Sequence, residues 1–179
     1  MSIDALLKIK NYEKVVYILR RHGITFFPYV VIFLAILFIP VAVYILFSSA
    51  FASTMQNPIT YPIMIIVASA YYLSALLFFY AFFVEFYLDS WIITNDRLVD
   101  IRQISLFERT VAEVDLYQIQ DVSSEVHGFF PTIFNYGDIL LQTAGPIPKF
   151  IIRNVHRPDK LREVIVELAS EDKKFHAGK

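Results

Sequence analysis

The sequence predicts a membrane-embedded α-helical hairpin of two transmembrane helices, joined to a mainly-β domain that closes on a helix. Three observations predict it. The 62 residues from Gly23 to Val84 contain no Asp, Glu, Lys, Arg or His. Past Glu85, short runs rich in β-branched and aromatic residues alternate with turn residues, the mark of strands. The last forty residues then include an apolar stripe at helical spacing, Leu161, Val164, Ile165 and Leu168.

The hairpin follows from length and polarity. Of the 179 residues, 56% are hydrophobic and 18% charged, against about 45–50% and 25% in soluble domains. A helix rises about 1.5 Å per residue and the hydrocarbon layer is about 30 Å thick, so about 20 apolar residues span it. Two segments qualify, 24–47 (ITFFPYVVIFLAILFIPVAVYILF) and 61–84 (YPIMIIVASAYYLSALLFFYAFFV). The uncharged connection SSAFASTMQNPIT is short, which predicts antiparallel neighbours. Pro40 deep in the first span predicts a kink. Ala70, Ser74 and Ala75 put small side chains at helical spacing in the second, a face suited to helix–helix contact. Neither span carries an ionisable group, which argues against an ion or proton pathway.

Charge sets the expected orientation. Residues 1–22 hold five bases (Lys8, Lys10, Lys14, Arg20, Arg21) and two acids (Asp4, Glu13). The connection between the spans has no base, and Arg97 and Arg102 follow the second span. By the positive-inside rule both termini face the cytoplasm and the chain is a multi-pass protein of the cell membrane. The first apolar segment is too long for a signal peptide and lacks a clear cleavage site. Residues 85–179 hold eleven bases and fifteen acids, an acidic balance that argues against a nucleic-acid partner. The absence of cysteine excludes disulfides and thiolate ligands.

The expected organisation is therefore an amphipathic cytoplasmic segment at 1–22, the hairpin at 23–85, a β domain at 86–172 and a polar tail at 173–179. In the first segment, Leu6, Leu7, Ile9, Tyr12, Val15, Val16 and Leu19 recur among charges at spacings of three and four. That pattern suits an amphipathic helix, lying on the membrane or packed on the β domain. Strands are expected near 86–94, 97–104, 108–116, 119–126, 138–144 and 149–155, and a capping helix at 158–170 with Pro158 in its first turn. Asn95-Asp96 and Gly145-Pro146-Ile147-Pro148 signal hairpin turns.

In order and texture these pieces resemble the bacterial pleckstrin-homology-like family of membrane-anchored proteins. The matching segments are NYEKVVYILRRHGI, WIITNDRLVDIR, VDLYQIQDVSSEV, FNYGDILLQTAG and HRPDKLREVI, and they extend over nearly the whole chain. Gly137 after an aromatic, leading to Thr143-Ala144-Gly145, is the most specific among them. The resemblance implies a split barrel of two packed antiparallel sheets capped by the C-terminal helix, serving binding or assembly and not catalysis. Relatives that bind phosphoinositides use a basic first hairpin. Here that hairpin reads Thr94-Asn95-Asp96-Arg97, one base and one acid, so this route is not expected.

No catalytic constellation, cofactor loop or metal spacing stands out. His22, His127, His156 and His176 are scattered, and Asp89, Asp96, Asp100, Glu113, Asp115 and Asp121 are expected to face water. The segment His127–Tyr136 concentrates aromatics. Phe129, Phe130 and Phe134 are candidates for a membrane or partner contact, or for a short helical turn packed on the barrel. Lys149, Arg153, Arg157, Lys160 and Arg162 are candidates for anionic headgroup contact. The expected function is a non-enzymatic membrane protein, without cofactor, whose cytoplasmic domain serves protein assembly, self-association or contact with the lipid bilayer. Anionic headgroup sensing and membership of a transport or pore complex are the alternatives.

Overall fold

The computed structural model describes residues 10, 12–46, 52, 58–145 and 149–177. The chain divides into two compact units, one made of Met1–Thr25 with Glu85–Lys179 and the other of Phe26–Val84.

The apolar unit contains α1 (Phe27–Leu46), entered through a 3-10 turn at Gly23–Phe26, and most of α2 (Thr60–Leu88). Counted with its 3-10 turn, the first segment has 24 residues and the second 29, both long and apolar enough to cross a membrane. Their mutual contact is aromatic. Phe33 stacks on Phe79 with ring centroids 4.2 Å apart, and Phe26 packs near Phe79 and Phe83. The Tyr71 hydroxyl donates to the Ile36 carbonyl at 2.7 Å, tying one helix to the backbone of the other. The half-buried stripe on α2 runs Met64, Ala68, Tyr71, Ala75, Phe79, at spacings of three and four. Ala75 lies on that stripe, whereas Ala70 and Ser74 are exposed, Ser74 bonding back to the Ala70 carbonyl. Pro40 lies within α1. The connection between the helices falls mostly outside the described residues.

The second unit is mainly β. Strands β1 (Val15–Arg20), β2 (Ser90–Thr94), β3 (Arg97–Gln103) and β4 (Arg109–Asp115) form one antiparallel sheet in that order. Strands β5 (Ile119–Glu125), β6 (Tyr136–Thr143) and β7 (Lys149–His156) form a second. A six-residue helix, α3 (Phe129–Phe134), links β5 to β6, and α4 (Pro158–Ala177) closes the chain. One core unites them. Trp91, Ile93, Leu98 and Val114 from the first sheet meet Ile139, Leu141, Phe150 and Ile152 from the second and Leu161 and Ile165 from α4. Each such side chain contributes about 1.5–3 kcal/mol on burial.

The N-terminal segment departs from expectation. Among its described residues, 15–20 form a strand and not an amphipathic helix, paired with β2 from Val15 opposite Thr94 to Arg20 opposite Ser90. Residues 1–9 and 11 of the expected helix lie outside the described residues. Val15, Val16 and Tyr17 are β-favouring, and pairing with a strand far along the chain overrides the helical spacing. The two apolar helices are thus inserted between neighbouring strands of one sheet. At the other end of the chain, the helix expected at 158–170 runs on to Ala177, so residues 173–177 of the expected tail continue it. Of the second hairpin turn, Pro146–Pro148 lie outside the described residues.

Gly137 occupies a position that excludes side chains. A Cβ there would collide with the Glu125 carbonyl oxygen and crowd Val126 and Pro158. Gly137→Ala is expected to destabilise the β unit by about 1–3 kcal/mol through overpacking. Thermal unfolding of the full chain in detergent, followed by circular dichroism, checks this as a lowered Tm with unchanged helix content at low temperature.

Candidate functional site

One end of the β unit gathers most of its unusual features. There β1 runs out at Arg20, β2 begins at Ser90, and the β3–β4 turn follows Gln103. The second sheet reaches the same end. The His22 amide donates to the Asn154 carbonyl at 2.7 Å, and the His22 ring stacks on Tyr136 and His156 at 5.2 and 5.6 Å. Burial, with the charge of His156 adding to it, holds the His22 pKa below its ordinary value. The histidines therefore have a stacking role here, and no group of three or more His, Asp or Glu suited to a metal occurs among the described residues.

Exposed aromatics project at this end. Phe107, in the β3–β4 turn, is 98% exposed. On α3, Phe129, Phe130, Ile133 and Phe134 are 74%, 62%, 58% and 41% exposed. The short helix expected in this segment is present, but its aromatics are not packed away. Gly128 at φ 107° and Asn135 at φ 51° bracket it, each taking a backbone conformation open to few other residues. Phe107 was not anticipated from sequence, although a Phe inside the turn Ser105-Leu106-Phe107-Glu108 between two strands was the available signal.

Ion pairs secure both ends of β1. Where the chain turns from β1 towards the helices, Arg21 pairs with Asp89 at 2.5 Å, and Asp89 also accepts the Gln103 amide at 2.8 Å. At the opposite end, Arg97 Nε and Nη2 each contact the Glu13 carboxylate at 2.9 Å, a bidentate fork, while Nη1 reaches Glu113 at 2.5 Å. Lys10 meets Asp96 at 2.6 Å, and the Tyr12 hydroxyl donates to the same carboxylate. Burial pushes the Glu13 carboxyl upward, but Arg97 and the Lys10 amide outweigh it and hold it below the ordinary range. Asp96 is lowered in the same way: burial is outweighed by its bonds from Lys10 and Tyr12. Asp89, Asp96 and Asp100, expected to face water, are in fact 2%, 4% and 6% exposed. The first hairpin is thus an internal tie: its one base, Arg97, is engaged by two carboxylates.

Asp100 differs from these partnered acids. Arg102 reaches its Oδ2 at 2.8 Å, but Oδ1 is buried with no hydrogen-bond partner, as are Trp91 Nε1 and Arg21 Nε. Trp91 stands directly across the ladder from Asp100. Burial, reinforced by the Asp89 charge and opposed by Arg102, raises the Asp100 pKa. Asp100, Arg102 and Thr110 line a cavity of about 280 Å³ together with Lys149, Phe150 and Arg153 of β7. The five basic candidates therefore separate. Lys149 and Arg153 share this cavity. Arg162 bonds through Nε to the Val122 carbonyl, Arg157 occupies a left-handed turn at φ 50°, and Lys160 is exposed on α4. The alternation Leu98, Asp100, Arg102 places all three side chains on one face of β3, and the buried Leu98 marks that face as inward.

No protein-family model matches the chain, and no curated protein matches it. A solved structure of a DUF1696 family protein with a pleckstrin-homology domain, from Shewanella loihica PV-4, is similar at 17% identity over 48% of this chain and 70% of that chain, with a TM-score of 0.36.

Glu13 and Asp100 are expected to affect stability with opposite signs. Because the folded Glu13 pKa is lowered, its contribution is complete above the unfolded value of about 4.3 and disappears as pH falls through the folded value. Glu13→Gln should therefore cost about 1.5–3 kcal/mol at pH 7, with the deficit shrinking on acidification. The folded Asp100 pKa is raised, so its ionised form opposes folding at neutral pH. That cost fades as pH falls through the folded value towards the unfolded one, about 3.9. Asp100→Asn should raise Tm at pH 7. Melting curves of both variants in detergent across pH 3–8 check the signs.

Proposed function

We propose that this is a multi-pass protein of the cell membrane, with both termini in the cytoplasm. Its β unit is a pleckstrin-homology-like module that binds and assembles and does not catalyse. The order of four strands, three strands and a closing helix supports the module, and the two apolar helices with their basic N-terminal flank support the location.

The observation that carries the functional reading is the end of the β unit bearing Phe107, Phe129 and Phe130. In sequence, the chain leaves that end for one apolar helix and returns to it from the other. Aromatic side chains favour the headgroup layer, where an apolar ring and partial hydration coexist. Phe107 and α3 thus rest the module on the inner leaflet. Its remaining surface is then free for a protein partner or a second copy.

The chain has no cysteine, so single cysteines report position cleanly. Fluorophores placed through Phe107→Cys, Phe129→Cys and Glu167→Cys in the full chain, reconstituted in vesicles, are expected to separate. The first two should be quenched by lipids carrying a quencher near the headgroup, and the third should not. Equal quenching at all three positions rejects the membrane contact. Photocrosslinking at Phe129 in native membranes that returns a protein adduct in place of lipid replaces the bilayer by a protein partner.

A further inference from the structure

The cavity between β3–β4 and β7 is built in a way that folding alone does not require. Three bases, Arg102, Lys149 and Arg153, line it; Arg102 is paired with Asp100 at 2.8 Å, and neither Lys149 nor Arg153 has an ion-pair partner among the described residues. The one carboxylate lining it, Asp100, is 6% exposed and keeps Oδ1 unpartnered. A buried carboxylate oxygen without a donor is costly, and an apolar side chain at this inward position would avoid that cost. The arrangement fits a ligand with two unlike parts. Its anionic part is met by the bases, with guanidinium forks suited to phosphate oxygens. Its hydrogen-bond donor is accepted by Asp100. Inorganic phosphate supplies the first part but has no hydroxyl on a carbon framework that could extend from the bases to Asp100. The volume, about 280 Å³, lies near the lower limit of small-molecule sites.

We propose that this cavity binds a small phosphate ester bearing a hydroxyl group, the phosphate held by Arg102, Lys149 and Arg153 and the hydroxyl donating to Asp100. The site is separate from the first hairpin, where Arg97 is engaged by Glu13 and Glu113. A glycerol phosphate unit has this chemistry, whether free in solution or as the headgroup of a glycerol-bearing phospholipid. Only the lipid source rests on the membrane reading above.

The test uses the full chain in detergent, titrated calorimetrically with glycerol 1-phosphate and with inorganic phosphate. Saturable binding of glycerol 1-phosphate, at least tenfold tighter than inorganic phosphate, is expected. The double variant Lys149→Gln/Arg153→Gln should bind at least tenfold more weakly. Asp100→Asn, which retains an acceptor but loses the charge, should narrow the preference over inorganic phosphate, with its melting curve showing that it is folded. No saturable heat with glycerol 1-phosphate overturns the proposal, as does wild-type affinity in the double variant. An unchanged preference in Asp100→Asn overturns the role of Asp100 and leaves only a basic patch. Nanodiscs of phosphatidylglycerol that compete with glycerol 1-phosphate, where phosphatidylcholine nanodiscs do not, assign the ligand to the lipid. Failure of both to compete assigns it to the soluble ester. Binding in detergent is independent of Phe107 and Phe129, so a failed quenching experiment and a failed titration are distinguishable.

Discussion

Everything in the β unit depends on the ladder between β1 and β2, two strands that are neighbours in space with both apolar helices between them in sequence. Closing so long a connection costs conformational entropy, though only logarithmically in its length: each doubling adds about 0.6 kcal/mol. The helix pair lowers that cost further. When α1 and α2 pack through Phe33, Phe79 and Tyr71, the ends of the connection are already brought near each other, and the strand pairing inherits a short effective loop.

The ladder is weak in apolar terms. Along β1 only Leu19 is buried, while Val15, Val16, Tyr17 and Ile18 are all more than a third exposed. Register in a sheet is normally enforced by a buried face, since a slip of one residue exchanges the two faces, and β1 has little such face to enforce it. Charge takes over that task. Glu13–Arg97 and Lys10–Asp96 lie at one end and Arg21–Asp89 at the other. A slip of one residue separates all three pairs, leaving carboxylates that are nearly inaccessible to water without their partners. The penalty for such a break, about 3–5 kcal/mol for a buried pair, exceeds what one exposed aliphatic side chain could supply. These pairs give β1 its position more than its stability.

Sequence patterns made the local features legible and left the non-local ones hidden. The two apolar segments, the later strands and the closing helix each announce themselves through a period or a run of residues, but their bounds shift. Helix α2 runs to Leu88, over the start of the strand expected at 86–94, which begins at Ser90, and the closing helix runs past 170 to Ala177. Strand β1 does not announce itself, because Val15, Val16 and Leu19 also satisfy a helical spacing and their true partner lies beyond the hairpin. For the same reason Asp89, Asp96 and Asp100 look like solvated acids: their neighbours in sequence are not their neighbours in space. The five basic candidates cluster along the chain, yet β7 and α4 point them in different directions, and only Lys149 and Arg153 converge on one cavity. The third base there, Arg102, comes from β3, which no local motif links to β7.

The partnered and unpartnered acids of this sheet follow one physical rule. Low dielectric strengthens a satisfied ion pair and penalises an orphaned charge. For Glu13 and Asp96 burial raises the pKa, but each meets a base and a further donor that outweigh it, and both are held below the ordinary carboxylate range. Asp100 has one base on one oxygen and nothing on the other, and its pKa moves the opposite way. All three lie on or beside the same β2–β3 hairpin, so the difference lies in which donors surround them and not in depth alone. An acid kept inside a sheet at a cost to folding, beside a cavity lined by three bases, is the combination that motivates the proposed binding site. The two ends of β3 thus differ: Arg97 is engaged in holding the N-terminal strand, whereas Asp100 and Arg102 pair with each other beside the cavity for which we propose a ligand.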